Sequence, residues 1–340
     1  ASMWSTSGNS YHIFKLDWTT QDWTDTGTAL DDRQDSKADA LWDGSKLYVV
    51  SHIWSKTSSS ASSGEEGELY RYSYSGGTYT LDSGYPVIVS DAKTEALVID
   101  KDSTGLLWVT YVNDKKVYVN HSTAGDDANW VGPYVLPVSG ADSVDSDDLS
   151  SVVAFDGNIG IMWSDQSSGN KMYFAAHADG TDDQIWQSIG AYTTSGDDHI
   201  NLKSLTSDGA GKVFAAIKTS VSNALLMLLV CDGGSCTSAS DWSAYTVYKG
   251  SDADFKEPTR PTLLLDTSNR DIYFFTRLDD DIYYKRADMD SISFSSGKGE
   301  AFIKSSDYSG INDPTTTKQN VNNSSGLVVL ANDDGARYYF

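Results

Sequence analysis

Residues 91–136, "DAKTEALVIDKDSTGLLWVTYVNDKKVYVNHSTAGDDANWVGPYVL", decide the fold. The segment runs through an apolar stretch, an Asp/Gly turn, an alternating strand, a polar turn and a second alternating strand. It closes on an Asp/Gly loop that ends in Trp130. Alternation at a period of two, broken by Asp, Gly and Asn, predicts short antiparallel strands joined by tight turns.

The same order recurs in both directions along the chain. Similar segments begin near Lys37 ("ADALWDGSKLYVVSHI"), Ser150 ("SSVVAFDGNIGIMWSD"), Lys203 ("KSLTSDGAGKVFAAIK"), Arg260 ("RPTLLLDTSNRDIYFFTR") and Lys318 ("KQNVNNSSGLVVLAN"). The strand after each turn returns as "GELYRYSY", "KVYVNHS", "KMYFAAH", "LLMLLVC", "DIYYKRA" and "ARYYF". Four strands in roughly 50 residues is the size of a propeller blade. The reading is therefore an all-β chain, a β-propeller of four-stranded antiparallel blades, forming a single domain over residues 1–340. Second and third strands number seven when "MWSTS" and "YHIFKLDW" are included, whereas first strands number six. Seven blades are expected, with six as the alternative.

Composition agrees with a β-rich chain: 20 Tyr, 10 Trp and 28 Gly against 6 Pro in 340 residues. With 48 acidic and 25 basic side chains the formal charge is −23, which repels nucleic acid and anionic membranes. The longest apolar runs, 224–230 and 326–331, are too short to span a bilayer, so no membrane insertion is expected. Cys231 and Cys236, in "CDGGSC", suit a disulfide that closes a small loop, which with the acidity points to a secreted or cell-surface protein.

The repeats resemble those of bacterial exported BNR-like or sialidase-like β-propellers, in which units of the type "ALxxDGxLxVxYxxxxxVYVxHS" follow one another. The resemblance covers nearly the whole chain. It implies a carbohydrate partner and a range of activities: sialidases, polysaccharide lyases and non-catalytic lectin-like modules. The loops "HSTAGDDANW" (121–130) and "HADGTDDQIW" (177–186) keep the Asp, Gly and Trp of such repeats with a different spacing. Only seven arginines are available to bind a substrate carboxylate.

The first strand of each blade lines the central axis, so residues at its start meet at the channel mouth. Arg260, in "EPTRPTLLLD", and Lys37, Lys93, Lys203 and Lys318 are expected to form a basic ring there. Asp39, Glu95, Asp147, Asp148, Asn201 and Asn320 accompany it. Cations for carboxylate or sulfate, with Asp and Asn for hydroxyls, make an anionic-glycan site. His199 follows Asp197 and Asp198 in "GDDHINLK" and is the candidate acid or base. The expected function is an extracellular glycan-binding module, as part of a larger multi-domain surface protein. A polysaccharide lyase or glycoside hydrolase at the same mouth is the alternative, and a structural or protein-binding propeller the second alternative.

No metal site and no cofactor are assigned. Calcium is the one candidate, from the oxygen-rich turns "DKDSTG" (100–105) and "LDDDIY" (278–283), neither of which completes a twelve-residue loop with its terminal Glu. Trp130, Trp186 and Trp242 recur at one place in the unit and are expected between blades. Trp23 and Trp54 are candidates for stacking on sugar faces.

Overall fold

A computed structural model describes residues 1–5, 10–167, 170–205, 211–304, 310–333 and 338–339. Six inner strands surround the axis: Ser36–Trp42, Leu97–Lys101, Ser150–Phe155, Ile200–Leu205, Thr259–Asp266 and Asn312–Thr316. Each pairs antiparallel with the next strand of its own sheet, and the five sheets from residue 36 to residue 303 carry four strands in succession. The chain is a six-bladed β-propeller.

Seven blades was therefore an overcount. The N-terminal strands Ser2–Ser5, Ser10–Leu16 and Trp23–Ala29 form a three-stranded sheet with no inner strand among the described residues. Blade number is set by the inner ring, so this sheet adds no blade. It packs on blade 1 through Ile13 and Leu30 against Val49, Tyr70 and Tyr72. The last blade is built from Asn312–Thr316, Val329–Asn332 and Tyr338–Tyr339. The latter is the described part of the expected strand "RYYF"; Arg337 and Phe340 lie outside the described residues.

The core lies between blades. One apolar cluster joins Leu41, Tyr48 and Val50 of blade 1 to Leu97, Val109 and Tyr111 of blade 2. Comparable clusters join blades 2 and 3, 3 and 4, 4 and 5, and 5 and 6. A blade in the middle of such a stack is covered on both faces. That is why Leu107–Asn113 and Leu226–Cys231 are buried at every position instead of alternating. Trp130, Trp186 and Trp242 belong to these inter-blade layers. In the first two loops the indole N–H donates to the carbonyl three residues back, Asp127 and Asp183. A disulfide joins Cys231 and Cys236 beside the layer between blades 3 and 4.

The ring closes differently between blades 6 and 1. There Lys318 Nζ lies 2.9 Å from Asp39 Oδ2, and Gln319 Nε2 donates to the Trp42 carbonyl at 2.9 Å. Beside these contacts runs a cleft of about 460 Å³ lined by Trp18, Trp23, Trp42 and Leu330.

Candidate functional site

Two inner strands open with the same local device. The pairing of Thr259–Asp266 with its neighbour slips between Thr259 and Thr262, and that of Asn312–Thr316 slips between Asn312 and Thr315. The extra residues are Arg260 (φ +54°) and Asp313 (φ +47°), each immediately before a proline. Left-handed backbone is costly for a residue with a side chain, and the following proline disfavours it further. Both residues accept that strain, and their side chains meet: Arg260 Nε lies 2.5 Å from Asp313 Oδ1.

This pair borders a cavity of about 600 Å³ at the mouth formed by the starts of the inner strands. Lys37, Trp54 and Lys56 of blade 1 line it, with Glu95 of blade 2 and His199 of blade 4. A second hollow of about 480 Å³ shares Lys37 and Trp54 and adds Tyr11, Gln34 and Asp35. Trp54 is 40% exposed, and Lys37 Nζ stands 5.8 Å from its ring centroid. The two hollows share Lys37 and the Trp54 indole.

His199 Nδ1 lies 2.5 Å from Asp198 Oδ1 and 3.6 Å from Asp197 Oδ1. Burial opposes its charged form, but Asp197 and Asp198 outweigh burial and raise its pKa. Burial also works against ionisation of Asp197, yet the neighbouring His199 and Asp198 and the hydrogen-bonded Lys218 hold its carboxyl far below the usual range. Ligand atoms of Asp197, Asp198 and His199 lie within 4.8 Å of one another. Lys218 Nζ lies 3.1 Å from Asp197 Oδ2 beside them.

Glu95 is the reverse case. Its Oε2 is out of solvent and has no hydrogen-bond partner among the described residues. Burial, then the negative charge of Asp198, raises its pKa to about 7 against the pull of His199 and Arg260.

The expected basic ring does not form as one ring. Lys37 and Arg260 reach the mouth, with His199, Glu95 and Asn201. Lys203 lies two residues beyond Asn201, about 7 Å along the axis. It is 3% exposed and donates to the Thr317 carbonyl. Burial, then Lys318, lowers its pKa to about 7. With Lys318, Asp100 and Asn320 it lines a separate cavity of about 180 Å³ toward the other end. Lys318 was misplaced because its segment was aligned by its lysine, whereas the inner strand of blade 6 is the earlier Asn312–Thr316. Lys93 is outside the mouth lining. It sits in a two-residue strand paired with Ser59–Ser60, its Nζ 3.1 Å from Glu65 Oε2.

Four expected glycan-binding residues are engaged in holding the structure together. Asp39 Oδ2 accepts from the Ile99 N–H of blade 2, and Asn201 Oδ1 from the Leu263 N–H of blade 5. Asn320 Nδ2 donates to the Ser204 carbonyl. Asp148 is 1% exposed and accepts from Ser164 and from the backbone N–H groups of Asp145 and Gln166. Asp147 remains within electrostatic reach of Glu95.

The oxygen-rich turns are satisfied internally. Asp102 Oδ1 accepts from the N–H groups of Thr104 and Leu106, and Oδ2 from the Trp108 indole. Asp279 accepts from the N–H groups of Asp254, Phe255 and Lys256. The other histidines bond or pack locally: His12 Nδ1 lies 2.9 Å from Asp25 Oδ2, and His121 Nε2 lies 3.1 Å from Asp183 Oδ2. His52 is held neutral, its pKa lowered to about 4 by burial. His121 stacks 4.4 Å from Trp108, and His177 Nδ1 lies 3.0 Å from the Ile185 carbonyl.

Sequence reading missed Asp313 and Lys56 as mouth residues. The recurrence of "TRPT" as "NDPT" was the available signal for Asp313.

No family model and no curated protein sequence matches the chain. Solved structures do. The periplasmic gluconolactonase of Pseudomonas aeruginosa is 13% identical, with a TM-score of 0.60 over 98% of this chain and 88% of that one. A protein of unknown function from Dyadobacter fermentans is 11% identical, with a TM-score of 0.54 over 91% and 92%. The Aleuria aurantia lectin, described as a six-bladed β-propeller with a novel mode of fucose recognition, is 14% identical, with a TM-score of 0.52 over 90% and 91%. At such identities the likeness is one of architecture: what this chain shares with them is the propeller.

Proposed function

We propose that the protein is an extracellular carbohydrate-binding propeller that takes an anionic glycan at the mouth formed by the starts of its inner strands. The observation that carries this reading is the opening of Lys37 and Lys56, beside the Arg260–Asp313 and His199–Asp198 pairs, onto one cavity of a molecule whose formal charge is −23. Such a cavity is a local attractor for a carboxylate or sulfate, and the half-exposed Trp54 offers a flat apolar face for a sugar ring. Sugar-binding and sugar-acting proteins among the architectural neighbours support the class of ligand, and the disulfide supports an oxidising compartment.

The test is a glycan array of carboxylated, sulfated and neutral oligosaccharides, run on the wild type and on Lys37→Ala/Arg260→Ala. Acidic glycans are expected to bind, and the double variant to lose at least about tenfold in affinity with its melting temperature held. Binding confined to neutral glycans, or undiminished in the variant, would refute the reading. Glu95, poised near neutrality in the same cavity, favours a second reading as a lyase or hydrolase. Assaying the best array hits for unsaturated or reducing-end products separates the two.

A further inference from the structure

Glu95 has no role in the attraction just described, and as an anion it would oppose it. Its surroundings show how the mouth tolerates it. Asp198 and His199 face it from the start of blade 4, Asp147 from the loop before blade 3, and Arg260 from blade 5. Blade 1 contributes Lys37, Trp54 and Lys56 to the same cavity, and blade 6 contributes Asp313, already paired with Arg260. His52 Nε2 stands 3.4 Å from the Glu95 carbonyl and is neutral, so it adds no charge. Oε2 meets none of these as a hydrogen-bond partner while being shut from water. An ionised oxygen in that position is uncompensated, whereas a protonated one is a donor awaiting an acceptor.

We propose that Glu95 makes the mouth selective for acidic over neutral glycans: it enters the complex as the neutral carboxyl and donates its proton in a hydrogen bond to a uronate carboxylate of the glycan. This deepens the reading of the mouth as an anionic-glycan site and rests on it. The glycan carboxylate then has Lys37 as its counter-charge, beside Arg260 and His199 that already pair with Asp313 and Asp198, and one of the acidic groups that would repel it becomes its partner. No covalent bond changes; where Glu95 starts ionised, one proton comes from solvent.

The sign follows from the raised pKa of about 7. Below pH 7 Glu95 is already neutral, and affinity for a uronate is at its plateau. Above it, affinity falls by about tenfold per pH unit, and each binding event takes up close to one proton.

The experiment is titration calorimetry of the wild type with trigalacturonate at pH 5.5, 7 and 8.5, each in two buffers of different ionisation enthalpy. Uptake of close to one proton at pH 8.5 and none at pH 5.5 is expected, with a fall in affinity of at least about tenfold between them. Glu95→Gln, which keeps a donor and cannot ionise, should bind with a flat profile near the wild-type plateau. The fully methyl-esterified trisaccharide should bind more weakly and with no proton uptake. Trigalacturonate binding with no proton uptake overturns the role of Glu95 and leaves the anionic-glycan reading standing. A slope that persists in Glu95→Gln assigns the titration to His199 and likewise overturns it. Absence of trigalacturonate binding at every pH overturns both. The proton count needs no variant, so a folding defect in Glu95→Gln cannot mask the result.

Discussion

Arg260 and Asp313 hold left-handed backbone ahead of prolines, with φ of +54° and +47°, and the strain aims both side chains into the mouth. A glycine at 260 would adopt that conformation freely, whereas an alanine keeps the Cβ that makes it costly. Arg260→Gly is therefore expected to exceed Arg260→Ala in stability by about 1 kcal/mol in denaturant unfolding. Both variants should lose acidic-glycan binding alike. Equal stabilities would mean the backbone at 260 is unstrained. Residue types at the mouth were legible because an arginine or lysine beside a buried strand stands out in an acidic chain. Their depth was not. A strand advances about 3.3 Å per residue, so a lysine placed two positions late belongs to a different part of the axis.

At the level of strands, the inner ring is held by side chains that cap backbone groups of the neighbouring blade. Asp39 and Asn201 do so, Thr316 Oγ1 donates to the Leu263 carbonyl at 2.8 Å, and Asn320 of blade 6 reaches past blade 5 to the Ser204 carbonyl of blade 4. Asn201→Ala strands the buried Leu263 N–H and is expected to cost about 1–3 kcal/mol, seen as a lower unfolding midpoint. Lys37→Ala, on an exposed side chain, should leave the midpoint unchanged. If the two variants were equally stable, the cap would be dispensable. Strands that alternate or run apolar were readable from the sequence, and so were the Trp loops that recur with them. "NDPTT" was not, because it is short, polar and interrupted by proline. It forms an inner strand through pairing with Val329–Asn332 and packing beside Thr259–Asp266, neither of which is a local signal. A bonded Asn and a ligand-gripping Asn likewise look the same in one dimension.

Across the whole molecule, 48 acidic groups are offset by 25 basic ones, and several carboxylates are tuned to stay ionised. Burial works against the charge on Asp82, but Lys46, Ser73 and Arg71 bond to it and lower its pKa to about 2. Asp31 is lowered in the same sense by Arg33 and Ser51. A depressed folded-state pKa contributes stability above the unfolded value near 4, and that contribution disappears as pH falls toward 2. The general self-repulsion has the opposite sign and is weakened by salt. Raising NaCl from about 10 mM to about 500 mM at pH 8 is thus expected to raise the melting temperature, while near pH 4.3, where the net charge passes through zero, the gain should shrink. A melting temperature that falls with salt at pH 8 would mean that ion pairs outweigh the net charge.

The closure between blades 6 and 1 makes the propeller a split ring. Five junctions are apolar layers, and parting any of them exposes a core. The sixth is spanned by Lys318 with Asp39, by Gln319 with Trp42, and by Trp18 of the N-terminal sheet against Gly326 of blade 6, beside a cleft. Parting it gives up one ion pair, one amide bond and one indole contact in place of a whole apolar layer. Whatever widens the axis, whether a bulky saccharide or thermal motion, is accommodated at that gap first, so the ring has one compliant joint and five stiff ones.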